Sequence, residues 1–335
     1  MSRIIHILGP QFSLRLALKQ LHIADKAAGT EQTVPIEDIS ALVCASATAV
    51  FTAGALRALA EANVPVLICD EQFQPAALTL PYYRATDTDL IRAQATWTAE
   101  FRDAAFRHII TAKVRAQGSL LHGHTAEALA GIADRCAAGQ YRGQGTAGPG
   151  KSLARVTVGR RELLHADTPA ASESRAARLY WHRFLPPLVA RLGTTEKGRV
   201  PGTRLGVNGM LDYGYAILRS AVLRSLACRG FIAALGLHHT SRAGTHALAD
   251  DLMEPLRPFM DAALRDFMLK TDAPEMKAWM GAAAGVLLQP VPMKTGKVRL
   301  LHAIDLYVQS FASHVLKPAA RPAFTIPHRG TATPA

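Results

Sequence analysis

The alternation of hydrophobic and polar positions near the N-terminus is typical of β-strands. Phe12, Leu14, Leu16 and Leu18 alternate with polar or small residues, which is the period of a half-buried strand. Short apolar runs predict further strands at residues 3–8, 41–44, 64–69 and 76–80. Between two of these runs, Thr52 is placed to cap a short helix. This part of the chain is therefore predicted to be strand-rich.

After the strand-rich part, the apolar spacing changes to that of α-helices. Residues 91–118 form one long stretch of helical period, and helical signals continue over 260–280. Thr168 followed by Pro169 predicts a helix N-terminus, because Thr caps well and Pro is favoured at the first helical position. Gly230 is placed to end a further helix, whose buried face carries Leu211, Tyr215, Leu218, Val222 and Leu226.

These patterns predict an α+β fold with two domains. A small β-rich N-terminal domain is expected over residues 1–85, and a larger all-α domain over 86–316. The Gly-rich segment 137–151 predicts a flexible loop, and the Pro-rich segment 317–335 predicts a mobile tail.

The composition indicates a cellular compartment and a class of binding partner. The four cysteines are far apart with no C-x-x-C pair, which indicates reduced thiols in a cytoplasm. No signal peptide or membrane span is predicted. The net charge is +12, and residues 151–230 hold 14 Lys/Arg against 5 Asp/Glu. Such clustering indicates a polyanionic partner such as DNA or RNA, with a basic solvated surface as the alternative.

An acidic pair interrupts the helical pattern in the C-terminal half. Asp251 and Glu254 lie one helical turn apart, beside an apolar stripe, where a negative charge is costly unless a cation or hydrogen bonds offset it. Pro255 and Pro258 cannot donate to the carbonyls of Asp251 and Glu254, so a kinked helix is expected here. A metal ion is one explanation for this acid, and a solvated helix face is the other.

Two further residues are candidate ligands. Glu173 is the polar first position of an otherwise apolar helix face, and the alternative is an acid that favours the helix dipole. His239 follows His238 in a loop ahead of the acidic pair, and the alternative is a structural histidine. One imidazole with two or three carboxylates suits Mg²⁺ or Mn²⁺. Candidate contacts to a phosphodiester backbone are Arg175, Arg178, Arg183, Arg204 and Arg257.

Four blocks together resemble the CRISPR-associated endonuclease/integrase family called Cas1, in a style similar to type II systems. The first is E-S-R-A-A-R-L-Y-W at 173–181 and the second is V-N-G-M-L-D-Y-G-Y-A-I-L at 207–218. The third runs from Gly230 to His239, and the fourth is A-D-D-L-M-E-P-L-R-P at 249–258. The resemblance implies a β-domain followed by a helical catalytic domain. It also implies a metal site of Glu173, His239 and Glu254, with Asp251 as an auxiliary acid.

The resemblance further implies a function and partners. Family members form homodimers, and two dimers flank a dimer of the small second Cas protein in a heterohexamer. That complex inserts short double-stranded DNA fragments into the CRISPR repeat array as new spacers in the prokaryotic cytoplasm. An RNA-guided effector nuclease is a further expected partner. A metal-dependent nuclease acting on branched DNA and a non-catalytic DNA-binding scaffold remain as alternatives, as does His238 in place of His239.

Overall fold

The computed structural model describes residues 3–7, 10–69, 75–79, 87–139, 168–203, 205–239, 245–293, 296–319 and 321–329. Its N-terminal part is rich in strands, which confirms the β-rich prediction. The strands are β1 (Arg3–Ile7), β2 (Phe12–Ala17), β3 (Gln20–Asp25), β4 (Thr30–Pro35), β5 (Ile39–Cys44), β6 (Val50–Phe51), β7 (Val66–Cys69) and β8 (Pro75–Thr79). A short helix, α1 (Ala53–Glu61), lies between β6 and β7.

The strands form two sheets. In the first, with the order β1-β5-β7-β8, the first three strands are parallel and β8 is antiparallel to β7. In the second, with the order β4-β3-β2-β6, β2, β3 and β4 form an antiparallel meander. The sequence analysis misses β3 and β4. Strand β4 exposes most of its side chains and buries only Val34, so it carries little apolar alternation. Thr52 caps α1 as predicted, its hydroxyl accepting from the Ala55 N–H at 3.2 Å.

The rest of the described chain is mainly helical, so the α+β fold class is confirmed. The helices are α2 (Thr88–Ala95), α3 (Ala99–Gly118), α4 (His124–Ala138), α5 (Pro169–Leu192), α6 (Gly206–Arg229), α7 (Ala247–Met253), α8 (Arg257–Lys270), α9 (Met276–Gly285) and α10 (Leu300–Leu316). A hairpin of β9 (Pro290–Met293) and β10 (Gly296–Arg299) precedes α10. Among the described residues, no helix is both long and apolar enough to cross a bilayer.

Helix α6 is the centre of the helical part. It is buried along most of its length, and α5, α7, α8, α9 and α10 pack around it. The indole of Trp279 on α9 donates to the carbonyl of Met210 at 2.7 Å, which fixes α9 against α6. The helix ends at Gly230, whose φ of 83° is left-handed, so the predicted C-cap is confirmed. Val43 and Leu67 of the first sheet belong to the same core, so this sheet packs directly on the helices.

The two prolines of the acidic segment break the helix as predicted. A 3₁₀ turn at Glu254–Leu256 separates α7 from α8. Leu248, Leu252 and Leu256 are each fully buried, which confirms the apolar stripe. The long helical stretch predicted at 91–118 is likewise two helices, because Thr98 caps the start of α3 by accepting from the Phe101 N–H at 3.2 Å.

Part of the segment predicted to be a mobile tail packs on the helical domain. Residues 321–329 lie along the helical domain, and Phe324 is buried there with only 3% of its surface exposed. The ring of His108 on α3 hydrogen-bonds to the Phe324 carbonyl at 3.0 Å. Burial of this aromatic side chain holds the segment in place. Most of the predicted loop at 137–151, from residue 140 onward, lies outside the described residues, as does 330–335.

Candidate metal centre

Glu173 lies near the start of α5, at the position where the sequence predicts it. The Thr168 hydroxyl accepts from the Ala171 N–H at 3.2 Å and Pro169 occupies the first turn, so the predicted helix start is confirmed. The carboxylate is one turn inside the helix and one quarter of its side chain is exposed. Its Oε1 accepts a hydrogen bond from the Lys113 ammonium at 2.5 Å.

Glu254 contacts the same ammonium from the other side. Its Oε2 lies 2.5 Å from Lys113 Nζ, although α5 and the 3₁₀ turn are far apart in the chain. The side chains of Lys113 and Glu254 are 9% and 5% exposed, so this contact is shielded from water. Burial alone would lower the pKa of Lys113, but Glu254 and Glu173 outweigh it and the pKa is raised. The two glutamates thus converge on one positive charge.

Lys113 is the residue of this centre that sequence reasoning missed. It lies on α3 among the buried residues Ile109, Ile110 and Val114. A lysine at a buried helical position indicates an ion pair, since lysine is rarely buried unless it is paired with an acid. The acids that pair with it come from other elements, so the sequence did not show the pair.

Arg257 is bound to Glu254 rather than displayed toward DNA. Its guanidinium lies 3.0 Å from Glu254 Oε1 and stacks over the ring of Tyr215, 4.6 Å from the ring centroid. Burial would raise the pKa of Glu254, but Arg257 and Lys113 lower it to about 2. In this structure the side chain of Arg257 holds Glu254 ionised and in place. Its contact with DNA stays a prediction.

Asp251 holds the loop that carries His239. Its Oδ2 accepts from the backbone N–H groups of Leu237 at 2.6 Å and His238 at 3.0 Å. Its Oδ1 accepts from the His239 N–H at 3.3 Å and lies 2.6 Å from His239 Nδ1. The side chain is completely buried, and both oxygens are used in this way. The lone pairs of Asp251 are therefore directed at the loop in this structure, and its role as an auxiliary metal ligand stays a prediction.

The contact with Asp251 also sets which nitrogen of His239 is available. With Nδ1–H donating to the carboxylate, Nε2 keeps its lone pair, which is the usual arrangement of a ligating histidine. The hydrogen bond that His239 donates to Asp251 raises the pKa of His239. His238 instead stacks its ring on Phe106, with centroids 4.4 Å apart and planes 8° apart. Of the two histidines, His239 is the better ligand candidate.

The centre brings Glu173, Glu254 and His239 into one region. Glu254 and His239 are close enough for each charge to shift the other's pKa. Over the parts of the chain that the structure describes, no three histidine, cysteine, aspartate or glutamate side chains form a ready-made ligand set. The donor chemistry, two carboxylates and one imidazole nitrogen, nevertheless fits a hard or borderline divalent cation. The cation between the two carboxylates in this structure is the Lys113 ammonium.

The remaining arginines proposed for DNA binding are placed differently from one another. Arg178 and Arg183 are exposed on α5, whereas Arg175 is half-buried and Arg204 lies outside the described residues. A cleft of about 790 Å³ runs between α5 and the loop before α6. Its lining includes the basic or aromatic side chains of Arg178, Trp181, His182, Lys197 and Arg199. This cleft is open and cationic, on the helix that carries Glu173.

Comparison with known proteins finds sequence relatives that cover most of the chain. Residues 5–290 match the sequence profile described as CRISPR associated protein Cas1. The CRISPR-associated endonuclease Cas1 of Neisseria meningitidis is 30% identical over 250 residues, which cover 74% of this chain and 70% of that protein. A casposase bound to integration product superposes with a TM-score of 0.71 at 18% identity, covering 100% of this chain and 96% of the casposase. A Cas6-RT-Cas1–Cas2 complex gives a TM-score of 0.68 at 16% identity, covering 97% of this chain and 36% of that one.

The two structural matches show a shared fold, and the sequence matches establish the protein family. The chain belongs to the CRISPR-associated Cas1 family.

Proposed function

We propose that this protein is a divalent-metal-dependent DNA integrase of CRISPR adaptation, which inserts short DNA fragments into the repeat array as new spacers. The observation that carries the proposal is the convergence of Glu173 and Glu254 on one buried cation, beside a histidine with a free Nε2. Membership of the Cas1 family supports it, as does the casposase of the same fold, which was captured with an integration product.

Each residue of the centre has a distinct task in this proposal. Glu173, Glu254 and His239 Nε2 would hold Mg²⁺ or Mn²⁺, which when bound orients an attacking oxygen and neutralises charge on phosphorus. Asp251 fixes the loop and the tautomer of His239. Arg257 keeps Glu254 ionised. Strand joining would exchange one phosphodiester for another, so no external energy source is needed.

The cleft along α5 is the proposed DNA face. Arg178 and Lys197 supply positive charge for phosphates, and Trp181 supplies a ring that can stack on a base. Arg199 is instead paired with Asp212. The homodimer and the small second Cas protein are proposed as assembly partners. The Cas1–Cas2 complex of similar fold supports the second of these.

A strand-joining assay tests the proposal. A 3′-hydroxyl DNA fragment, a supercoiled repeat plasmid and Mn²⁺ are incubated with protein, and covalent fragment–plasmid product is measured. We expect Glu173→Ala and His239→Ala to abolish joining while DNA still binds. Matched controls are Glu127→Ala and His124→Ala, which remove an exposed surface pair on α4 and should leave joining unchanged. Normal joining by both centre variants would end the proposal.

A nuclease that uses water as nucleophile is the second candidate, since the related Neisseria protein is named as an endonuclease. The same assay separates the two functions. Cut plasmid without covalently joined fragment favours the nuclease, and joined product favours the integrase.

A non-catalytic scaffold is the third candidate, because Lys113 and Arg257 compensate both glutamates without a metal. Thermal unfolding separates it from the other two. Saturating Mn²⁺ raises the melting temperature only if the folded site binds it. A melting temperature that Mn²⁺ leaves unchanged in the wild type, together with a lowered one in Glu254→Ala, favours the scaffold.

A further inference from the structure

The Lys113 ammonium occupies the space that Glu173 and Glu254 share. It lies 2.5 Å from Glu173 Oε1 and 2.5 Å from Glu254 Oε2, and its side chain is 9% exposed. The other oxygen of Glu254 is bound to Arg257 at 3.0 Å. Both oxygens of Glu254 are therefore already paired with a positive group. A metal ion that binds between Glu173 and Glu254 must take the position of the Lys113 ammonium.

Lys113 is the partner that can leave. Arg257 contacts Glu254 Oε1 through two guanidinium nitrogens and also lies over the ring of Tyr215. Its movement would break both contacts at once. Lysine is a compact charge on a flexible four-carbon stem, and it can swing away by rotation about its own bonds. Divalent Mg²⁺ binds carboxylate oxygens at about 2.0–2.1 Å. An ammonium and such an ion cannot both lie between the same two oxygens.

We propose that Lys113 is a built-in counter-cation that the metal must replace. Without metal, its charge holds two otherwise repelling carboxylates together and keeps the centre folded. With metal, the ammonium leaves both glutamates. Metal affinity in the free protein is then lower than the donor set alone would give, because each binding event breaks this buried ion pair. The inference rests on the proposed metal centre and assigns a positioning role to a residue outside the predicted ligand set.

Removal of the charge has two opposite effects under this proposal. Lys113→Met keeps the length and the apolar stem but leaves Glu173 and Glu254 without their shared cation. The metal-free protein should therefore lose stability, since breaking one side of a buried ion pair is costly. The same variant should bind metal more tightly, because no ammonium has to be displaced.

The first test is titration with Mn²⁺ alone, following free Mn²⁺ by electron paramagnetic resonance. We expect Lys113→Met to bind at least about tenfold more tightly than the wild type, equivalent to about 1.4 kcal/mol. Its melting temperature should be lower in EDTA and should rise more with Mn²⁺. Arg115→Met is the matched control, because Arg115 is on the same helix and pairs with Asp134 at the surface. Unchanged or weaker Mn²⁺ binding by Lys113→Met overturns the proposal.

The wild type provides a second measurement that does not depend on a variant folding. Lysine acylation followed by mass spectrometry reports how readily Lys113 reacts in EDTA and in saturating Mn²⁺. We expect slow labelling in EDTA and labelling at least about tenfold faster with Mn²⁺, because the freed amine no longer pairs with carboxylates. An equal rate in both conditions overturns the exchange. Failure of the metal centre itself is distinguishable, since Glu254→Gln would then bind Mn²⁺ no more weakly than the wild type.

Discussion

Asp251→Asn tests whether the loop of His239 depends on one buried carboxylate. The substitution keeps the shape of the side chain and replaces one oxygen by an NH₂ group. Oδ2 accepts from the N–H groups of Leu237 and His238, and Oδ1 accepts from the N–H and lies beside Nδ1 of His239. With the NH₂ group toward Leu237 and His238, two backbone donors lose their acceptor. With the NH₂ group toward His239, only the backbone N–H of His239 loses its acceptor, because the imidazole can change tautomer and accept at Nδ1.

The magnitude depends on the number of donors that are left unpaired. A buried donor without an acceptor costs about 1–3 kcal/mol, and the less costly orientation of the amide leaves one such donor. Asp251 is completely buried, so water cannot replace the lost contacts. We expect the free energy of unfolding to fall by about 1–3 kcal/mol. Mn²⁺ affinity should fall with it, because an imidazole that accepts at Nδ1 carries its proton on Nε2.

Urea denaturation of wild type and variant measures the first quantity. The matched control is Asp250→Asn, the neighbouring residue, whose carboxylate is 28% exposed and pairs with the partly exposed Arg219. Exposed pairs contribute about 0–1 kcal/mol, so this control should stay close to the wild type. If Asp251→Asn lies within about 1 kcal/mol of the control, the carboxylate does not hold the loop and the assignment of its role is wrong.

Three further predictions concern the loop that carries His239, the buried Asp261 on α8 and two exposed arginines on α5. Gly236→Ala should lower stability and strand joining in urea-melt and joining assays, because its Cβ would lie 2.5 Å from the His239 carbonyl oxygen and 2.8 Å from Asp251 Oδ2; wild-type values would contradict this. Burial raises the pKa of Asp261 from 3.8 to about 6, against hydrogen bonds from Tyr215 and Tyr180 that lower it. The folded state therefore binds this proton more tightly than the unfolded state does. The resulting stabilisation is complete below about pH 4 and is lost as pH rises through about 6. For a shift of about two pKa units it amounts to about 3 kcal/mol. Asp261→Asn should remove that dependence in urea melts between about pH 4 and 7, and an unchanged slope would contradict it. Arg178→Ala with Arg183→Ala should weaken DNA binding and reduce its logarithmic salt slope by about 2, measured by fluorescence anisotropy; an unchanged slope would place the DNA elsewhere.

The sequence predicted the elements better than it predicted the contacts between them. Caps at Thr52, Thr168 and Gly230 were readable because capping depends on neighbouring residues only. The strand β4 was not, because an edge strand with exposed side chains carries little apolar alternation. At the centre, the spacing of Glu254 from its prolines identified a break in a buried helix.

The roles within the centre needed the packing of separate elements. Asp251 and Glu254 are equivalent in a sequence pattern, yet one faces the backbone of a loop and the other faces two cations. Side-chain direction across a 3₁₀ turn and a loop cannot be obtained from periodicity. Lys113 was missed for the same reason, since its acids come from α5 and from the turn after α7.

We expect the turn that joins α7 to α8 to tolerate no inserted or deleted residue. Each residue added to a helix rotates the remainder of that helix by about 100°. A single insertion between Asp251 and Glu254 would point one acid away from its neighbours, even if every side chain were retained. An insertion in the exposed connection at 26–29 between β3 and β4 would move no residue of the centre, so we expect a change of length to be tolerated there.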